Sequence, residues 1–206
     1  MRTALYVSIA VVMGAASLVR AAPSPKEDLP RTIASLSAES CYGIASGSIV
    51  MPAMTDPDAL AKSVKAIGTM GLDYGVNDSM MKALGKPGLM MIAQSTMGSK
   101  SLDQGDVVLA VGGRQPGCRV ILLAEPNVNV TEAVAARLVQ AGWKAMPSMT
   151  EARGAIERRA FVRRDGKASP YLMNLMTITT PAPGSKLRLF TTTIAIPAHV
   201  RLPDGL

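Results

Sequence analysis

Histidine and aromatic residues are scarce in this chain. Among 206 residues there is one His, and Phe, Trp and Tyr together make up 3%. One His excludes paired-imidazole zinc sites and a bis-His haem, and two Cys cannot build a four-cysteine metal centre or a disulfide-dense scaffold. So few aromatics leave little for the stacking platforms of a glycosidase or a single-strand nucleic-acid binder. No C-x-x-C pair, G-x-S-x-G elbow or G-x-x-x-x-G-K-[ST] loop is present. No cofactor is expected. What is plentiful is aliphatic: hydrophobic residues reach 48% against 18% charged, with 14 Met. That composition supports one packed domain with an Ala, Val, Leu, Ile and Met core.

The N-terminus reads as an export signal. Arg2 precedes an apolar run from Ala4 to Val19, and small residues follow at Ala21 and Ala22. One positive charge, a short apolar stretch and a small-residue cut site are the parts of a secretory signal peptide. Cleavage is expected between Ala21 and Ala22, making residues 1–21 the signal. An uncleaved N-terminal anchor is the alternative, because the run approaches the length of a membrane span. Removal takes Arg2 and Arg20 with it, leaving 185 residues with a net charge of +5 and 12 Met. The chain is then expected in a bacterial periplasm or secreted, with no membrane span after signal cleavage.

Export changes the reading of Cys41 and Cys118. Two cysteines in an oxidising compartment form a disulfide most simply, here closing a loop of about 77 residues. The remaining organisation is a mobile Pro-rich leader over 22–30, a single domain over 31–200 and a tail over 201–206. Apolar residues at helical spacing predict a helix from Arg31 to about Ser48. Asp56 and Pro57 predict the start of a second helix running to Gly71, with Leu60, Val64, Ile67 and Met70 facing inward. A short helix from Asn77 to Leu84 is followed by an apolar strand from Gly88 to Met97. Strands at 106–111 and 119–124 flank a loop at 112–117, Thr131 is an N-cap candidate for a helix from Glu132 to Ala141, and three strands follow from Ile156, Tyr171 and Leu187. The order α-α-β-β-β-α-β-β-β predicts an α+β fold, with a mostly antiparallel sheet of five to six strands and helices on one face.

Three groups carry candidate chemistry. Met51/Met54, Met146/Met149 and Met173/Met176 have M-x-x-M spacing, and soft thioethers suit Cu(I). Met51, Met54, Met146 and Met149 are the candidate metal ligands, with core filling as the plain alternative. Arg158, Arg159, Arg163 and Arg164 crowd a segment that carries +4 over residues 153–167, a candidate patch for an anionic partner. On a strand that charge splits between two faces, and edge protection is the competing explanation. The carboxylate pairs Asp56/Asp58 and Asp103/Asp106 read as a helix cap and a turn, and His199 lies near Pro197 and Pro203 where a triad histidine is poorly held.

The expected function is that of a small exported, non-enzymatic domain binding an envelope protein or an anionic surface, not nucleic acid. A soft-metal carrier and an enzyme acting on an anionic substrate are the alternatives.

Overall fold

Asp28 opens the first helix, its carboxylate accepting from the Arg31 amide at 2.7 Å. Pro30 sits in the first turn, where its missing N–H costs nothing. Helix α1 (Leu29–Ser35) therefore already includes the last two residues of the expected leader. The structure is a computed structural model that describes residues 28–52, 56–112, 117–166, 169–197, 200 and 202. The signal and its cut at Ala21 and Ala22, Met54, Arg114–Pro116 and His199 lie outside the described residues.

After α1 the helical path widens into one π turn (Leu36–Cys41) and resumes as α2 (Tyr42–Ser46). Leu36 and Cys41 are five residues apart, a spacing that a π turn brings round, and both are buried. Gly47, at φ +79°, ends the path. From this turn Cys41 bonds to Cys118, forming the disulfide expected from the sequence. Beside it, the Ser37 and Thr191 hydroxyls hydrogen-bond at 2.7 Å, both fully buried.

Asp56 starts the next turn by accepting from the Asp58 amide at 2.9 Å and holding Lys62 at 2.6 Å. Helix α3 (Ala59–Thr69) then buries Ser63 and Ile67, and Gly98 leaves the space into which Ile67 packs. The expected inward stripe is thus only partly inward. Leu60 is 65% exposed and Val64 45%. A two-residue strand β1 (Asp73–Tyr74) leads to helix α4 (Asp78–Ile92), capped by the Asn77 side chain on the Met80 amide at 2.9 Å.

The apolar run after Gly88 continues α4 instead of forming a strand. Gly85 breaks the helix at φ +61°, ψ 179°, a conformation reserved almost entirely for glycine. Pro87 then falls in the first turn of the second half, where it is tolerated. The carbonyls freed at the break are taken up from outside the helix. The Lys186 amide donates to the Ala83 oxygen at 2.7 Å, and the Ser185 hydroxyl donates to the Leu84 oxygen at 3.1 Å.

Seven further strands and one helix complete the chain: β2 (Ser95–Leu102), β3 (Gly105–Gly112), β4 (Cys118–Ala124), α5 (Thr131–Gln140), β5 (Lys144–Arg153), β6 (Ile156–Arg163), β7 (Tyr171–Ile178) and β8 (Leu187–Ala195). They form one antiparallel sheet of eight strands in the order β1-β2-β3-β4-β8-β7-β6-β5. The α+β class stands, while the sheet exceeds the five to six strands expected. The additions are β1 and the edge strand β5, and β2 replaces the strand expected over Gly88–Met97, overlapping it only at residues 95–97. In β5 the register slips between Met146 and Glu151, so Pro147, which cannot donate to a ladder, lies in a bulge.

Helices cover both faces of the sheet, not one. Val107, Leu109, Val120 and Leu122 pack with Ile33, Ile67, Val134 and Leu138 of α1, α3 and α5. Their neighbours Val108, Ala110, Ile121 and Leu123 point the other way, against Met80, Leu84 and Ile92 of α4. A third cluster on this second face joins Met146, Ala160 and Val162.

Candidate binding surface

The four arginines of the basic segment separate as alternation requires. Arg159 faces α5 and is clamped by two carboxylates, Glu132 at 2.5 Å and Glu157 at 2.8 Å. Their hydrogen bonds push its guanidinium pKa up and hold the Glu132 carboxyl below its usual range. Arg158, on the opposite face, lies 3.4 Å from Glu151. Arg163 pairs with Asp165 at 3.2 Å while its guanidinium stacks 4.2 Å from the Tyr42 ring centroid. Arg164 is exposed and is the one of the four without a carboxylate partner among the described residues. Three of the four charges are therefore engaged within the fold.

Around Arg163 three of the chain's seven aromatic residues converge. Tyr42 meets Tyr171 edge-on at 4.9 Å and Trp143 at 6.0 Å, and its hydroxyl donates to Asp165. Burial and that hydrogen bond push Tyr42 up to about 12, while the Tyr42 hydrogen bond and Arg163 hold the Asp165 carboxyl below its ordinary value. The sign follows. A raised phenol favours the folded state fully below pH 10, and that contribution is lost as pH rises through 12. Thermal midpoints are expected to fall between pH 10 and 12, and the fall to shrink in Tyr42→Phe. An equal fall in both proteins would remove Tyr42 as its cause. Asp165 acts at the other end, its contribution present above the carboxylate range and lost as acid protonates it.

The methionine pairs are dispersed. Met146 is buried with Ala160 and Val162, and Met149 packs on the same cluster. Met51 packs against the first-face core. Met173 is buried on the first face and its partner in spacing, Met176, points to the second. Among the described residues no group of three or more His, Cys, Asp or Glu is placed to hold a metal ion. Asp56 orders the turn ahead of α3 by accepting from the Asp58 amide, but the cap position of that helix is Asp58 and not Asp56 as expected; Asp106 accepts from the Ser101 hydroxyl at 2.7 Å.

A surface that the sequence reading passed over lies on the outer side of α4. Met81, Lys82, Gly85, Lys86, Leu89, Met90 and Ala93 line an open notch of about 610 Å³ at the helix break. Leu89 is 38% exposed and Met90 70%. Lys82 precedes the break and Lys86 follows it; both are exposed, and neither has a carboxylate partner among the described residues. The side chains that do reach the core leave from the other side of the helix: Met80, Leu84 and Ile92. The signal was present in Met80-Met81 and Met90-Met91. One methionine of each doublet faces the core more deeply than its neighbour, so doubling leaves apolar side chains over.

Comparison with protein-family models, with curated proteins and with solved structures finds no match.

Proposed function

We propose that this protein is an exported binding domain whose partner docks on the outer face of α4. The observation that carries the reading is the notch at Gly85, where two exposed apolar side chains stand beside two lysines with no carboxylate partner among the described residues. An apolar patch left in water is a liability for a monomer and an asset for a docking surface. Export rests on the N-terminal pattern of one arginine, an apolar run and Ala21-Ala22. The disulfide supports it, because such bonds persist in oxidising compartments. No helix among the described residues is long and apolar enough to cross a membrane.

The test places a photo-crosslinking residue at position 90 in producing cells, with exposed Gln140 on α5 as the control position. Adducts concentrated at 90 support the surface; equal labelling at 90 and 140 overturns it. Mass spectrometry of the same material reads the N-terminus, expected at Ala22. A chain retaining Met1 overturns cleavage.

A further inference from the structure

The binding reading leaves the occupant of the α4 notch open, and the inference that follows rests on that reading. We propose that the occupant is a bilayer surface rich in anionic phospholipid. Leu89 and Met90 enter the boundary between headgroups and acyl chains, and Lys82 and Lys86 meet the phosphates.

Charge and composition both favour lipid over protein. Within α4 the only acidic residue is Asp78, at its start, so the notch itself presents two positive charges and no negative one. Protein interfaces enrich aromatic side chains and deplete lysine. This notch has no aromatic residue and two lysines among seven lining residues. Lysines flanking exposed aliphatic side chains suit an interface instead, since the ammonium stays with the headgroups while its stem lies along apolar surface. The break at Gly85 adds shape. It puts Lys82 on one half-helix and Lys86 on the other, with the half-buried Met81 and Ala93 extending the apolar strip between solvent and core. Methionine and leucine side chains adapt to a fluid partner without a fixed complementary shape.

The experiment uses the protein as it accumulates in producing cells, carrying Met90→Trp as a local probe; position 90 is exposed enough to accept the ring. The native Trp143 is 1% exposed and reports the background in the unmodified protein. Vesicles of brominated phosphatidylcholine, with or without phosphatidylglycerol, quench a tryptophan only where it enters the bilayer. Strong quenching is expected with the anionic vesicles and not with the zwitterionic ones. Any N-terminal attachment is shared with the protein that also carries Lys82→Gln and Lys86→Gln, so the comparison of those two proteins on anionic vesicles removes it. Adding Lys82→Gln and Lys86→Gln should weaken partitioning roughly 20- to 30-fold, and raised salt should do the same. Quenching equal in both vesicle types, or none beyond the unmodified protein, overturns the proposal. If position 90 crosslinks a protein in cells while Met90→Trp stays unquenched, the docking surface stands and lipid is the wrong occupant. If neither occurs, both readings fall.

Discussion

Removing the Cys41–Cys118 bridge is expected to lower the unfolding free energy by about 4 kcal/mol, the scale set by closing a loop of this length. The crosslink spans 77 residues, so the oxidised unfolded chain loses much of its freedom. It also ties the π turn to β4, in the interior of the sheet, with both sulfurs almost wholly buried. Urea unfolding of Cys41→Ala/Cys118→Ala should show a lower midpoint. Its slope should be steeper, because the uncrosslinked unfolded state exposes more surface. The unmodified protein unfolded with reductant separates the crosslink from sulfur packing; the same shift there assigns it to the bond. A midpoint unmoved in both experiments would mean that native contacts alone fix the turn.

The second large effect is expected at Ser37. Its hydroxyl shares a hydrogen bond with Thr191 across 154 residues, in a site where neither residue is exposed. Ser37→Ala leaves the Thr191 hydroxyl buried and unpaired, at a cost of about 1–3 kcal/mol. Replacing both partners, Ser37→Ala with Thr191→Val, removes the unpaired group and should restore most of the loss. The double-mutant cycle therefore carries a sign as well as a size. If the two losses simply add, each hydroxyl has another role and the pair is not a unit.

Much of the fold was legible because its local rules agree with one another. The strands from 106, 119, 156, 171 and 187 begin within about a residue of expectation, each bounded by Gly, Pro or Asp turns. The disulfide followed from counting. Two elements are not legible and one feature is legible but easily missed, for different reasons. Strand β5 hides because Pro147 and its bulge interrupt the alternation that identifies a strand. The run from Gly88 is apolar throughout, and such a run fits a buried strand and a helix equally until Pro87 is read as a helix start. The double-sided burial was written in DVVLAV and RVILLA, which have no polar alternation and so belong to strands covered on both faces. The basic segment was the least legible feature. Its charge count is correct, but Glu132 and Glu151, which engage Arg159 and Arg158, come from α5 and β5. The Met doublets only hint at the α4 notch, because exposure of Leu89 and Met90 also depends on how the helix breaks at Gly85.

The strand order has a kinetic consequence. β1 to β4 form one run of neighbours and β5 to β8 another, and the two meet only where β4 pairs with β8. The last strand in chain order is therefore the one that seals the sheet. Until β8 arrives, β4 and β7 each present an open hydrogen-bonding edge flanked by apolar side chains, the arrangement most prone to wrong pairing. A chain delivered across a membrane N-terminus first would emerge with Cys41 and Cys118 together long before that strand. The crosslink can then hold the first half in register, a covalent placeholder for a seam that closes last.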